Sequence, residues 1–221
     1  ADGSVCGAVY TSRDTLRAML HCIGPAPGVR LVTSLFVLAV RNRQFGHNGL
    51  LGVCDGSIVI EPSAAELADM AIASARTTRL LFETEPAVAL LSYSTKGSSG
   101  RGRQTDKIIE ALRVARARAP ELNIDGELQA DAALAPAVAA SKAPGSPVAG
   151  RANTLIFPDL ASANIAVKMV ERLGDAAAIG PFVQGLALPA NDLSRGCSPE
   201  DVFGVAVVTS LQASEGARLR R

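Results

Sequence analysis

The sequence predicts an α/β fold in which a mostly parallel sheet is sandwiched between helices. Apolar segments of strand length alternate with amphipathic segments of helix length along nearly the whole chain, which is the pattern of strands joined by helical crossovers. Of the 221 residues, 48% are apolar and only 19% are charged. This composition predicts a well-buried core and excludes a disordered chain.

The first part of the chain predicts one helix and two strands. A helix is expected at residues 12–22, capped by Ser12. Residues 30–40 (RLVTSLFVLAV) predict a strand buried on both faces, and residues 50–60 (LLGVCDGSIVI) predict the next one. The dipeptide Asn48-Gly49 between them is typical of hairpin turns. One antiparallel pair within the sheet is therefore a possibility.

A capping box marks the second helix. Ser63 and Glu66 stand three residues apart at the start of an amphipathic stretch that ends near residue 82. Helices and strands then continue to alternate. In order, we expect a strand at 87–93, a helix at 105–119, a short strand at 122–125, a helix at 127–141 broken at Pro136, a Gly/Pro loop at 143–151, a strand at 153–159, a helix at 161–174, a short strand at 177–180 and a helix at 198–212.

The Gly-rich loop at 94–104 (STKGSSGRGRQ) follows a strand, where ligands bind in open α/β sheets. It contains neither GxxxxGK[ST] nor GxGxxG, so the sequence offers no nucleotide-binding fingerprint there. Its hydroxyl groups, Lys96 and the pair Arg101 and Arg103 could hold an anion. A flexible surface loop is the alternative interpretation.

Charge and cysteine usage argue against several classes of protein. The net charge is +1, and the only basic cluster is the final GARLRR, which we interpret as a solvated helix end; we therefore expect no nucleic-acid partner. The four cysteines form no CxxC pair, so we expect no metal site and a reducing, cytoplasmic location. We find no signal peptide and no apolar run of membrane length, and so expect no membrane association.

The acidic segment DGELQAD could suggest metal-binding carboxylates at Asp125, Glu127 and Asp131. These residues are divided between the end of a predicted strand and the start of a predicted helix. Helix capping and favourable interaction with the helix dipole are therefore the preferred explanation.

The run NDLSRGCSPED at 191–201 is the most specific feature. Ser198 can cap a helix that begins with a proline, and Arg195 lies just ahead of the free amides of that helix start, where a phosphate binds well. Asp201 stands at the spacing of a capping-box partner of Ser198. From the residues alone, capping is favoured over catalysis for Asp201, and Cys197 is interpreted as a structural thiol because no histidine is placed to activate it.

Five blocks of sequence resemble phosphate acetyltransferases, and the resemblance covers nearly the whole chain. They are ADGSVCGAVYTSRDTLR, LLSYSTKGSSG, NIDGELQADAAL, SKAPGSPVAGRANTLIFPDLASANIAVK and AIGPFVQGLALPANDLSRGCS. The resemblance implies a two-domain fold similar to isocitrate and isopropylmalate dehydrogenases, with the active site between the domains. Residues 1–28 and 189–221 would then form part of an incomplete first domain that carries the catalytic strip, and 29–188 the second domain. Because the family carries a further segment before the first block, we expect a fragment.

The resemblance also implies a reaction, the interconversion of acetyl-CoA and phosphate with acetyl phosphate and CoA in a ternary complex. Asp201 would take the proton from the CoA thiol, Arg195 would bind phosphate or acetyl phosphate, and Ser194 would bind the reacting carbonyl or its oxyanion. Arg17 would belong to the substrate cleft. We also predict substrate contacts at Ser94, Thr95 and Lys142.

On this interpretation CoA is a substrate, no cofactor is permanently bound, and the protein is a homodimer. Two alternatives remain. One is a phosphate butyryl- or propionyltransferase. The other is a non-catalytic domain or fragment of the same fold.

Overall fold

The computed structural model describes residues 1–219, with side chains as far as residue 216, and confirms the α/β fold. In the GARLRR tail, the side chains beyond residue 216, to which the prediction of a solvated helix end refers, lie outside this description. The strands are β1 (Ser4–Gly7), β2 (Thr33–Ala39), β3 (Leu50–Cys54), β4 (Val88–Leu91), β5 (Ile124–Leu128), β6 (Thr154–Ile156), β7 (Ala177–Gln184) and β8 (Ala190–Leu193). The helices are α1 (Ser12–Cys22), α2 (Ala64–Phe82), α3 (Arg103–Arg118), α4 (Ala130–Leu134), α5 (Pro136–Lys142), α6 (Leu160–Leu173) and α7 (Pro199–Leu219).

Six strands form one mixed sheet in the order β5-β4-β6-β3-β2-β7. The first four of these are parallel to one another, and β2 runs antiparallel to both β3 and β7. Helices cover both faces. One apolar cluster joins the sheet to α2 and α3 and includes Leu67, Met70 and Ile108. A second cluster, on the other face, includes Leu128, Val148 and Val167.

The antiparallel pair confirms the hairpin that Asn48-Gly49 suggests. β2 and β3 are antiparallel, and Asn48 and Gly49, with φ of 53° and 90°, form the tight turn between His47 and Leu50 that leads into β3. The strand predicted for residues 50–60 is nevertheless too long, since β3 ends at Cys54. The chain turns there because the Asp55 carboxylate accepts hydrogen bonds from the amides of Ser57 and Ile58, at 2.8 and 3.0 Å.

Other element boundaries also differ from the prediction, most clearly around β5 and β7. β5 extends to Leu128 and every residue in it is buried, so the helix expected from residue 127 begins only at Ala130. The polar sequence Glu127-Leu128-Gln129 looks helical, but the buried Glu127 accepts a 2.6 Å hydrogen bond from the amide of Gly97. The expected break at Pro136 is confirmed. Long-range pairing with β2 extends β7 from the predicted 177–180 to Gln184.

Two of the short strands, β1 and β8, were not predicted. β1 and β8 pair in parallel, Ser4 opposite Ala190 and Gly7 opposite Leu193, and form a separate two-stranded sheet beside α1 and α7. Their sequences, SVCG and ANDL, are too short and too polar for a periodic signal. The first helix is capped by Thr11 rather than Ser12, since the Thr11 hydroxyl accepts from the amide of Asp14.

The two sheets join segments that are far apart in the sequence. The six-stranded sheet spans Thr33–Gln184, and the two-stranded sheet is built from the segments on either side of it. Phe182, Leu193 and Val205 belong to one apolar cluster between them. The domain boundaries at 28 and 189 themselves stay a prediction. Within the described residues, we find no helix that combines the length and the apolar character needed to span a bilayer.

Candidate active site

One buried side chain anchors the segment that follows β8, residues 194–201, to the rest of the fold. Asn191, fully buried in β8, accepts a 2.7 Å hydrogen bond from the amide of Val183 and donates to Thr209 and Gln212 at 2.8 Å each. It therefore ties β8 to both β7 and α7. The chain then makes a tight turn, with the amide of Cys197 donating to the carbonyl of Ser194 at 3.1 Å. This arrangement fixes the start of α7 relative to the sheet.

Asp201 is part of a complete capping box, as predicted. Its Oδ2 accepts from the amide and the hydroxyl of Ser198, at 2.8 and 3.0 Å, and its own amide donates to the Ser198 hydroxyl at 3.1 Å. All the side-chain contacts use one carboxylate oxygen. Among the described residues, Oδ1 has no hydrogen-bond partner, so a fixed carboxylate retains one oxygen for another group.

Ser194, Arg195 and Asp201 line one cleft of about 640 Å³, which we call the Arg195 cleft. Gly56 and Ser57, from the loop after β3, and several residues of α6 also line it. The structure therefore brings together the three residues predicted to be catalytic. Ser194 and Arg195 are exposed, and Asp201 is half-buried.

Lys168 and Arg172 also line the Arg195 cleft, and sequence reasoning missed them. They stand one turn apart on α6, with Glu171 beside them. A Lys-x-x-x-Arg spacing on a helix that directly follows a strand could have signalled them, because both side chains then project from one face. With Arg195, they bring the number of cationic groups in the cleft to three, compared with two carboxylates, those of Glu171 and Asp201. None of the three cations has an ion-pair partner among the described residues, so the cleft suits an anion.

Asp55 fixes the loop after β3, which contributes Gly56 and Ser57 to the lining of the Arg195 cleft. Its side chain is 1% exposed and accepts from the Thr33 hydroxyl at 2.7 Å and from the Ser34 amide at 3.0 Å, in addition to the loop amides of Ser57 and Ile58. The Ser34 hydroxyl also donates to it. A carboxylate with this many donors holds its surroundings in one conformation.

Arg17 lies on α1, exposed, and lines a neighbouring cavity of about 670 Å³, which we call the Arg17 cavity. Ser12, Ser57 and Pro181 line both this cavity and the Arg195 cleft. The two spaces are therefore adjacent and share a wall.

Ser94, Thr95 and Lys142 lie elsewhere on the same edge of the sheet and do not line either cavity. They stand beyond β4 and β5, and β5 is three strand positions from β3, roughly 14 Å. All three are engaged within the protein. Ser94 donates to Glu127 at 3.2 Å, Thr95 pairs with Gln129, and Lys142 donates to Asp131 at 2.7 Å. Their predicted contacts with substrate stay a prediction.

The loop at 94–104 is held in place by ion pairs and hydrogen bonds to the rest of the protein. Lys96 donates to Asp125 at 2.6 Å and to the carbonyl of Gly126 at 2.7 Å, and Arg101 pairs with Asp106 at 2.5 Å. These contacts occupy two of the cations that the anion-binding interpretation needs. They also exclude a fully flexible loop.

The carboxylates of DGELQAD do not form a metal site. Asp125 accepts from Lys96, Arg116 and Ser146, at 2.6, 3.1 and 2.5 Å. Burial raises the pKa of Asp125, but the Lys96 and Ser146 contacts outweigh it and bring the pKa below its usual value. Within the part of the chain that the structure describes, no group of three or more potential ligands is placed to hold a metal ion.

The helix-capping interpretation of this segment is wrong for Asp125 and Glu127, which belong to β5. It fits Asp131, which lies in the first turn of α4 and accepts from the amide of Ala132 at 2.8 Å. The difference arises because β5 runs further than the sequence pattern indicates, so two of the carboxylates are buried in the sheet.

Comparison with known proteins gives consistent results. The family model described as phosphate acetyl/butaryl transferase matches residues 1–210. A phosphate acetyltransferase of Acetivibrio thermocellus is 51% identical over 213 residues, which cover 96% of this chain and 64% of that protein. The chain thus spans a little under two thirds of the length of this relative.

Two solved structures resemble this one, the first in both sequence and fold and the second in fold alone. A phosphotransacetylase from Streptococcus pyogenes superimposes with a TM-score of 0.90 at 46% sequence identity, covering 97% of this chain and 64% of the other. A 4-hydroxythreonine-4-phosphate dehydrogenase from Klebsiella pneumoniae has a TM-score of 0.54 at 10% identity, covering 96% of this chain and 65% of the other. The second likeness concerns the fold alone, and it agrees with the dehydrogenase-like fold expected from the sequence.

Proposed function

The chain belongs to the phosphate acetyl/butaryl transferase family, and from this premise we propose that the protein interconverts acetyl-CoA and phosphate with acetyl phosphate and CoA. Its relatives at about half identity are named phosphate acetyltransferases, which favours an acetyl group over a longer acyl group. One observation carries the proposal. Ser194, Arg195 and Asp201 converge on one cationic cleft, with the carboxylate already fixed.

Asp201 is suited to the role of general base. A free thiol has a pKa near ~8.5, so at neutral pH most of the CoA thiol is protonated, whereas the attacking species is the thiolate. A carboxylate beside the thiol can remove the proton as the sulfur attacks the carbonyl carbon of acetyl phosphate. Ser198 holds Oδ2 of Asp201, and Oδ1 remains for the thiol proton.

Arg195 and Ser194 are suited to the charge that develops during the reaction. Attack produces a tetrahedral oxyanion, and its collapse expels phosphate. A guanidinium fork and a hydroxyl donor can stabilise both anions, and one such donor is typically worth about 3 kcal/mol. Lys168 and Arg172, which line the same cleft, support binding of the phosphate or of the CoA phosphates.

The proposal extends to location and assembly. All four cysteines are free thiols, which supports a reducing, cytoplasmic setting. We also propose that the protein is a homodimer, as its resemblance to the family implies. CoA is then a substrate, and the reaction needs no resident cofactor.

The direct test is a turnover assay of the 221-residue chain. CoA release from acetyl-CoA is followed with a thiol reagent and must depend on added phosphate. The same assay is run on the chain preceded by the N-terminal segment that the family resemblance implies. Phosphate-dependent release by either form supports the proposal, whereas its absence from both supports a non-catalytic domain. Faster turnover with butyryl-CoA or propionyl-CoA would favour the longer-chain transferase.

A further inference from the structure

Asp192 is a buried carboxylate to which no described residue donates a hydrogen bond. Asp192 is 4% exposed, and neither its Oδ1 nor its Oδ2 has a hydrogen-bond partner among the described residues. Nearly all buried polar groups in native proteins are bonded, and an unpartnered buried carboxylate is costly. A hydrogen-bond donor from outside the described residues would satisfy this carboxylate.

The packing around Asp192 is tight on one side. In the two-stranded sheet it lies opposite Cys6, and a Cβ built on the neighbouring Gly7 would lie 2.3 Å from Oδ1. Burial raises the pKa of Asp192. Interactions with the hydroxyls of Ser12 and Thr15 and with the backbone amide of Leu193 lower it by less. The carboxylate is therefore held in place without being satisfied.

On its other side, Asp192 lines the Arg17 cavity. The walls of that cavity are largely apolar, and α1 adds Arg13, Arg17 and His21 to its lining. The apolar wall residues include Leu16, Met19, Leu20, Ile58, Ile60 and Leu160. A ligand that fits all of these features has a long uncharged part, at least one hydrogen-bond donor within it, and an anionic group for the arginines.

The position of the Arg17 cavity beside the Arg195 cleft indicates which ligand with these features is expected. The two spaces share Ser12, Ser57 and Pro181. In the proposed function, the thiol of CoA lies beside Asp201 in the Arg195 cleft. Along the CoA molecule the thiol is followed by two amide groups of the pantetheine arm and then by the diphosphate. A pantetheine arm that passes from the Arg195 cleft along these three shared residues would thus bring an uncharged chain with two N–H donors into the Arg17 cavity.

We propose that Asp192 is a specificity-determining residue that accepts a hydrogen bond from a pantetheine amide N–H of CoA. Arg13 and Arg17 then face the diphosphate, further along the same molecule. This inference rests on the proposed function, since it takes the position of the thiol from it. Asp192 is a binding residue, and it takes no part in the proton transfer assigned to Asp201.

The first test uses the unmodified chain. Calorimetric titration measures the dissociation constants of CoA and of two analogues, each with one of the pantetheine amides replaced by an ester, which lacks the N–H. Loss of a hydrogen bond to a charged acceptor typically weakens binding about ten- to hundred-fold. We expect one analogue to lose affinity by that factor. Equal affinity for CoA and both analogues overturns the assignment of Asp192 but leaves the proposed function standing. Absence of CoA binding both by this chain and by the chain preceded by its N-terminal segment overturns both.

The second test uses variants. Asp192→Leu removes the acceptor, and Asp192→Asn keeps a carbonyl oxygen but removes the charge. The leucine variant should bind CoA and the sensitive analogue equally, whereas the asparagine variant should keep part of the discrimination. Glu110→Leu, at a half-exposed carboxylate on α3 outside both cavities, is the matched control and should discriminate as the unmodified chain does. Full discrimination in a folded Asp192→Leu variant contradicts the proposal. Should that variant fail to fold, the analogue comparison on the unmodified chain decides alone.

Discussion

The carboxylate of Asp201 accepts hydrogen bonds from the amide and the hydroxyl of Ser198, at 2.8 and 3.0 Å, while the Asp201 amide donates to the same hydroxyl at 3.1 Å. This reciprocal pair stabilises the start of α7 and also sets the direction of the carboxylate in the Arg195 cleft. Capping and catalysis are therefore compatible roles for Asp201. The capping contacts leave Oδ1 available for the proton of the incoming thiol.

Replacing Ser198 with alanine should affect stability and turnover together. Loss of a serine cap typically costs about 1 kcal/mol, and an Asp201 side chain that is no longer fixed should lower turnover several-fold. Denaturant unfolding and the turnover assay measure the two effects. Ser198→Thr keeps the hydroxyl and should restore both. A Ser198→Ala variant with reduced stability but unchanged turnover would show that the cap does not orient the base.

Asp201→Asn should remove most of the turnover with little change in stability. The asparagine carbonyl can still accept from the Ser198 amide, so the capping contact survives, but the side chain can no longer take a proton. Removal of a general base typically costs a factor of about 10² to 10⁴. The turnover number and the thermal unfolding midpoint are measured on the same preparation. A near-normal turnover number would remove Asp201 from the mechanism.

Arg195→Gln should lower turnover by roughly 10² to 10³, because one donor to the developing oxyanion is lost. It should also raise the KM for phosphate more than the KM for CoA. Arg195→Lys restores the charge without the planar fork, so it should recover only part of the activity. Steady-state kinetics with each substrate varied in turn separate these effects. Equal changes in the two KM values would argue against a phosphate contact.

The buried Asp125 should make stability depend on acid pH. Burial raises its pKa, but contacts with Lys96 and Ser146 outweigh that effect and lower the pKa below its ordinary 3.8. A group with a lowered pKa in the folded state contributes stability that is fully present above the unfolded value. That contribution is lost as pH falls through the folded value. The free energy of unfolding should therefore decrease below about pH 4, and the decrease should be smaller in Asp125→Asn.

At pH 7 the Asp125→Asn variant should be less stable by roughly 1–3 kcal/mol, since the cations that face Asp125 lose their partner. Lys96 and Arg116 remain partly exposed, so water offsets part of that loss. Glu110→Gln, which breaks an exposed pair with Arg113, is the control and should change little. Urea titrations at several pH values measure both variants. An unchanged pH slope in Asp125→Asn would show that other carboxylates dominate.

Local signals in the sequence predicted those parts of the fold that local interactions determine. The capping boxes at Ser63–Glu66 and Ser198–Asp201, the Asn48-Gly49 turn and the break at Pro136 depend on contacts within a few residues, and each is confirmed. The extents of β5 and β7 were wrong because pairing with strands distant in sequence extends them past the point where the local pattern stops.

The candidate site divides in the same way. Sequence alone determined that Ser194, Arg195 and Asp201 stand around a helix start, since they are close in the chain and the capping spacing is unambiguous. The tertiary structure decided what faces them. Lys168, Arg172 and the loop at Ser57 arrive from α6 and from the loop after β3, and Asp192 becomes a buried, unpartnered acceptor only when β8 pairs with β1. The physical reason is that burial and charge proximity depend on contacts between distant segments, and no local pattern in the chain records those contacts.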